Sequence, residues 1–371
     1  MRYQPNSLQI SRDIITGVYG SNPIIKVLDI NGNTKWSLSI EDIQNQTHVP
    51  EWLKNCSRDG SAVTEMKWVE DGPKIAALIG GAAVVVNYNP KEPQEDKNVV
   101  FGVCTNTDML NSCHTLEALP DNRLAIATTG QGERDGIWVY NASAGLHPSK
   151  SPLPIGITTC HPAIHAMIWD DREKILWAAG TDKAANNKCC PSYGLLNGYR
   201  YTSHRTTLER EPVYSYRMLT TTRCTTEWGP QTTNGGYWDG PHDIAPVPHE
   251  RKFLITTELD VHEFDFESER FKAGDAVAET YMQGFVPLGR RVGMNRTGHL
   301  EKLPRSDLKS VSIAEDGNVV YNQANWADDF WSRQINVLVL NHHRPIPAPG
   351  RIYKARWLGS VPGWKPADWS L

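Results

Sequence analysis

Five segments of this chain repeat one outline: a polar residue, a short strand of alternating apolar character, a tight acidic turn, then a second apolar strand. They run from Glu65 to Leu78, His114 to Ala127, His165 to Ala178, His242 to Ile255 and Lys309 to Tyr321, with turns near Asp71, Asp121, Asp171, Glu250 and Asp316. Each continues into more strand-like runs, such as Ala83 to Tyr88, Gly136 to Tyr140 and Val261 to Phe266, while helical periodicity sustained over a dozen residues is nearly absent. A sixth unit is visible in Leu8 to Ile15 and Ile24 to Ile30, with the hairpin turn Asn31-Gly32. Repeats spaced by about 50 to 80 residues suit four-stranded antiparallel blades with inserted loops, so the expected fold is all-β, a single β-propeller over residues 1–371. Division by seven gives about 53 residues per blade, which favours seven blades over six or eight, with the last sheet closed by the two termini. Loop insertions are expected at about 182–198 and 223–240, and the tryptophan-rich stretch 351–371 reads as a packed tail covering an edge strand.

Composition agrees with an ordered chain: 39% of the residues are hydrophobic and 22% charged, with 13 Trp, 29 Gly and 24 Pro. The 38 basic and 42 acidic residues leave a net charge of -4 without single-sign blocks, so no nucleic-acid or anionic-membrane partner is expected. The longest apolar run, Ile75 to Val86, is broken by Gly80-Gly81 and falls well short of the roughly 20 residues of a membrane helix. Four glycosylation sequons, at Asn45, Asn55, Asn141 and Asn295, together with seven cysteines, point to a secreted, extracellular monomer. The cysteine pairing is not readable from the sequence: Cys104 and Cys113 could close a short loop, and Cys189 and Cys190 could bond to distant partners or to each other, while the absence of any Cys-x-x-Cys spacing argues against zinc held by thiolates.

The repeat alignment carries a functional consequence. Inner strands of a propeller line its axis, so Glu65, His114, His165, His242 and Lys309, which share one repeat position, are expected around one axial mouth. Three imidazoles there could hold a divalent ion such as Zn, Mn or Ca, or supply acid and base near neutral pH. A second constellation, Tyr199, Arg200, Tyr201, Tyr214, Tyr216 and Arg217, suggests a phenol and a guanidinium delivered to a pocket that binds a carboxylate. Arg223, Trp238, Asn322 and Trp331 are suited to holding a sugar ring, since indole faces stack on pyranose C–H surfaces and amides bond hydroxyls. Dinucleotide, Walker, nucleophile-elbow and His-Glu-x-x-His templates are missing, and the Asp170-Asp171 pair falls on a repeat turn, where a structural role is expected.

The segments Ser112 to Arg123, Ile164 to Asp170 and Pro241 to Pro248 resemble secreted fungal L-rhamnose-α-1,4-D-glucuronate lyases and their bacterial propeller relatives. The resemblance implies a polysaccharide lyase that removes rhamnose caps from plant arabinogalactan, such as gum arabic, by β-elimination, leaving an unsaturated glucuronate. It requires no cofactor, although a bound divalent metal at His114, His165 and His242 stays open. Arg217 would neutralise the uronate carboxylate, and His114, or else Tyr201 or Tyr216, would act as base and acid. His165 would orient the substrate, with His242, Glu65, Lys309, Arg223, Trp238, Asn322 and Trp331 binding it. An α-L-rhamnosidase using two of Glu65, Glu117 and Asp243, a non-catalytic sugar-binding propeller and a metal-dependent hydrolase are the competing readings.

Overall fold

The computed structural model describes residues 12–69, 74–129, 134–183, 193–221, 240–257, 260–286, 292–294, 300–302, 308–323, 331–359 and 364. Three strands, β1 (Ile14–Tyr19), β2 (Ile24–Leu28) and β3 (Thr34–Ser39), precede two short helices, α1 (Ile40–Gln44) and α2 (Glu51–Arg58). Four-stranded antiparallel units come next: β4 (Val63–Val69), β5 (Lys74–Ile79), β6 (Ala82–Asn87) and β7 (Val99–Cys104), then β8 (Cys113–Leu119), β9 (Arg123–Thr128), β10 (Ile137–Asn141) and β11 (Gly156–Ile157). The succeeding unit holds β12 (Ala166–Asp170), β13 (Ile175–Thr181), β14 (Tyr193–Thr202), a short β15 (Thr207–Leu208) and β16 (Tyr214–Thr221), which pairs with β14. After it come β17 (Pro241–Pro246), β18 (Lys252–Thr257), β19 (Val261–Asp265) and β20 (Arg270–Ala273), helix α3 (Asp275–Tyr281), and a two-stranded β21 (Val292–Met294) and β22 (Leu300–Lys302). The chain ends in β23 (Leu308–Ile313), β24 (Val319–Gln323), β25 (Ser332–Val339) and the long β26 (His342–Trp357).

Strand β26 belongs to two units. Its first half pairs with β25, from Val339 opposite His342 to Gln334 opposite Pro347, and its second half pairs with β1, from Tyr19 opposite Arg351 to Ile14 opposite Trp357. The N-terminal strands β1, β2 and β3 are therefore completed by an inner strand from the C-terminal end of β26. Contacts between inner strands run from β26 to β4, β8, β12, β17, β23 and back to β26, closing a ring. The described strands thus form six units, one fewer than division by seven predicts. Insertions such as α1, α2 and α3 lengthen the repeat spacing without adding a sheet. The expected insertion at 182–198 is part strand, since β14 begins at Tyr193; residues 184–192, and all of 223–240 except Gly240, lie outside the described residues. Residues 351–357 are not a tail over an edge but an inner strand, whereas Trp364 is packed as expected, against Phe253 with its indole N–H donated to the Val247 and Glu250 carbonyls.

Local chemistry explains the hairpins. The apolar run broken by Gly80-Gly81 is the β5–β6 hairpin; Gly80 has φ +58°, and a Cβ there would collide with the Ser57 carbonyl oxygen. The repeat turns at Asp121, Asp171, Glu250 and Asp316 link first and second strands as expected, each carrying a left-handed residue: Asn122, Lys174, His249 and Gly317. Asp170 is structural: Arg251 grips it through two nitrogens, at 3.1 and 2.6 Å. Between units the sheets bury alternate apolar faces, with Phe101, Leu116, Trp169 and Tyr199 in one continuous cluster. A disulfide joins Cys56 on α2 to Cys104 on β7, with Cα atoms 5.7 Å apart, a pairing that the sequence leaves open; Cys113 is a buried thiol.

Candidate functional site

The ladder is irregular at the start of the inner strands. Pairing skips a residue between Val63 and Glu65, Cys113 and Thr115, Pro241 and Asp243, and Leu308 and Ser310, which turns Thr64, His114, His242 and Lys309 out of register. His165 stands just before β12 with its N–H on the Ala179 carbonyl, and Tyr353 falls in the corresponding shift between β1 and β26. These bulges gather an axial cluster. The His114 and His165 rings stack with centroids 4.6 Å apart, those of His165 and His242 4.8 Å apart, and Tyr353 lies 5.8 Å from His114. Lys309 Nζ sits 2.5 Å from His242 Nε2 and 5.6 Å from the Tyr353 ring centre. Trp331 packs on Tyr19 and Tyr353, forming an aromatic wall beside the cluster.

The hydrogen bonds fix which imidazole nitrogen carries the proton. His165 Nδ1 lies 2.9 Å from the Ala163 carbonyl and His242 Nδ1 lies 2.8 Å from that of Gly240; a carbonyl only accepts, so both Nδ1 atoms are protonated. His114 Nδ1 faces Thr129 Oγ1 at 2.9 Å, and that hydroxyl already donates to the Ser112 carbonyl, so it too accepts from Nδ1. In the neutral rings every Nε2 is a bare lone pair. His242 Nε2 accepts from Lys309, while those of His114 and His165 meet no protein donor among the described residues, and both side chains are only half-buried. Burial first, then the Lys354 charge, lowers the His114 pKa to about 3; burial, then His114 and His242, puts that of His165 well below the usual value. Both rings are therefore neutral across the ordinary pH range. They stack face to face rather than converging on one point, and among the described residues no group of three His, Cys, Asp or Glu side chains is placed to hold a metal ion.

Beneath the imidazoles the axis is closed by charge. Glu65 is fully buried and binds Lys354 Nζ at 3.0 Å and Arg356 Nη2 at 3.0 Å; Arg356 also reaches Asp243 at 2.7 Å, and lower still Lys67 pairs with Glu117 at 2.6 Å. Burial alone would raise the Glu65 pKa, but Arg356 and Lys354 outweigh it and hold it at about 2. On the far side of this layer the axis opens into a cavity of about 110 Å³ lined by Trp68, Trp169, Trp357 and Trp364. The half-buried imidazoles with their bare Nε2 atoms make the histidine end the candidate site.

Several expected site residues stand elsewhere. Glu65 is one residue past the bulge, sealed in the floor rather than at the mouth. Tyr201, on β14 at the end remote from His165, donates to Asp121 at 2.7 Å; Tyr216 and Arg217 lie on β16, the outermost strand. Three strand spacings separate β16 from β12, on the order of 14 Å, too far to share a substrate group with His165. Tyr216 donates to Glu269 and exposed Arg217 pairs with Asp182. Burial and these carboxylates raise both phenol pKa values, which makes neither tyrosine a ready base. Asn322 is buried with its amide donated to the Tyr353 carbonyl at 2.7 Å and its oxygen bound by Ser310, so it braces the cluster instead of meeting a ligand. Arg223 and Trp238 lie outside the described residues. Tyr353, Lys354 and Arg356 were missed by the repeat; the signal that could have found them is the closing of the ring by the two termini.

This strand order defines a β-propeller. No protein-family model and no curated protein matches the sequence. Solved structures similar to the chain are propeller-type proteins at low identity. One is in a nidogen/laminin complex, with a TM-score of 0.49 at 8% identity over 95% of this chain and 100% of that one. A functionally unknown protein from Desulfotomaculum acetoxidans gives 0.47 at 9% over 96% and 98%, and the RRP9 WD40 repeats give 0.45 at 10% over 84% and 69%. Likeness at this level concerns the fold alone.

Proposed function

We propose that this chain is an extracellular polysaccharide lyase that cleaves L-rhamnose-α-1,4-D-glucuronate ends of plant arabinogalactan by β-elimination. The observation that carries the reading is the pair of bare Nε2 atoms on His114 and His165, beside the Lys309 ammonium, at a mouth closed from below. Lys309, buried against His242, takes the electrostatic role first given to Arg217: its positive charge lies behind the mouth and offsets the uronate carboxylate. That anion opposes the cations that depress the imidazoles, so His114 becomes a stronger base once substrate is bound. His114 Nε2 takes the C5 proton, the C5–H electrons form the C4–C5 double bond, and the C4–O4 bond breaks. In the gluco configuration H5 and O4 share a face, so the same imidazolium returns the proton to O4 as rhamnose leaves. Tyr19, Trp331 and Tyr353 offer ring faces for the sugars.

The hydrolytic reading is weakened by the state of its carboxylates: Glu65 and Asp243 are both held by Arg356, and Glu117 by Lys67. The test is incubation with gum arabic, following the ultraviolet absorbance of an unsaturated uronate and free rhamnose in parallel, with EDTA in one arm. Rhamnose with new absorbance, lost by a factor of roughly 10² or more in His114→Ala and retained in Arg217→Ala, is the expected result. Rhamnose without absorbance makes the protein a hydrolase, and no rhamnose removes this substrate altogether.

A further inference from the structure

Lys354 is fully buried, and its Nζ reaches three groups on three different units: Glu65 Oε2 at 3.0 Å, the His165 carbonyl at 2.8 Å and, at the long end of hydrogen bonding, the His114 carbonyl at 3.4 Å. In the ring of inner strands, β26 lies three places from β12 in either direction, so this one side chain crosses the axis to the opposite unit. An apolar side chain would fill the same space without the cost of burying an ammonium. What the ammonium adds is direction: its donors go to the main chain of the two residues whose Nε2 atoms are bare.

We infer that Lys354 is a positioning residue, a tie across the axis that sets the spacing and tilt of His114 and His165 by holding their carbonyls, with Glu65 as its counter-ion. Its environment is defined on every side. Burial lowers its pKa, Glu65 on β4 and Asp243 on β17 favour its charge, and Arg356 on its own strand opposes it. The imidazoles above it face His242, Lys309 and Tyr353. The Lys354 charge also helps to keep His114 unprotonated, second only to burial.

The inference rests on the histidine mouth being the site, not on the reaction proposed for it, and its primary test needs no substrate. Lys354→Met, Lys354→Arg and the parent protein are compared by NMR of the imidazole nitrogens across pH. In folded Lys354→Met the His114 and His165 signals are expected to move, with His114 titrating at higher pH than in the parent, while His262, on β19 two strands out from β17, stays unchanged; Lys354→Arg restores much of the parent pattern. On gum arabic the Met variant is expected to lose kcat by roughly tenfold or more, with a smaller change in KM. Where Lys354→Met does not fold, Lys354→Met/Glu65→Gln removes both charges of the pair and carries the same readout. A folded variant whose His114 and His165 signals and titrations match the parent overturns the inference. Shifted histidines in a protein with no lyase activity would uphold it and dismiss the reaction.

Discussion

An imidazole acts only through the nitrogen its surroundings leave bare, and this fold uses the same argument away from the axis with a different outcome. His161 and His262 are sealed in the protein, 1% and 0% exposed, and burial lowers their pKa values from 6.5 to about 3 and about 4. Both stay neutral in the folded chain at pH values where the unfolded chain takes up protons. The unfolded state therefore binds more protons between about pH 6.5 and these lowered values, and stability falls as the pH falls through that window. Each such histidine costs about 1.4 kcal/mol per pH unit within it. Urea unfolding from pH 7 down to pH about 4 is expected to show this slope, and His161→Gln to flatten it, because glutamine takes up no proton in either state. The readout is the slope, since the substitution also changes packing; an unaltered slope would mean that His161 is already charged in the folded protein.

At the scale of single elements, the insertion between β3 and β4 shows how a unit lengthens without gaining a strand. Helix α1 is started by Ser39, whose hydroxyl accepts from the Asp42 N–H while the Asp42 carboxylate accepts from the Ser39 N–H, and α2 is pinned to β7 by the Cys56–Cys104 disulfide. That bond closes a loop with a sequence separation of 48, so Cys104→Ser is expected to lower stability by about 2–4 kcal/mol, read as a lower urea midpoint. The same elements show what was legible in the sequence. Five inner strands were visible because each is followed at once by an acidic turn and its partner strand. Tyr353 to Trp357 was not, because its partner β1 lies at the other end of the chain and no local hairpin marks it. Glu65 was misplaced by one residue for a different reason: a period of two cannot register a bulge, which adds a residue without changing composition. Tyr214 and Tyr216 alternate as a site strand would, with Arg217 following, and only strand order reveals that β16 is outermost.

For the whole molecule the decisive event is closure. Until β26 lies between β23 and β4, Glu65 and Asp243 lack the cations that grip them: Lys354 and Arg356 both arrive on that strand, whereas the two carboxylates wait on β4 and β17. A ring left open would therefore leave β1 without its inner partner and two carboxylates without these cations, and a buried carboxylate without a partner costs several kcal/mol. Two truncations separate closure from simple loss of chain. A chain ending after Gly359 keeps all of β26 and loses Trp364, whose packing on Phe253 and Arg251 is local; it is expected to melt cooperatively at a lower temperature. A chain ending after Gly350 keeps the half of β26 that pairs with β25 but loses the half that pairs with β1, and with it Tyr353, Lys354 and Arg356. It is expected to lose its near-ultraviolet circular dichroism and its cooperative transition, although most of its strands remain encoded. Cooperative melting of the Gly350 chain would show that the other five inner strands hold the fold without a closed axis, and that the charges beneath the histidines serve the site alone.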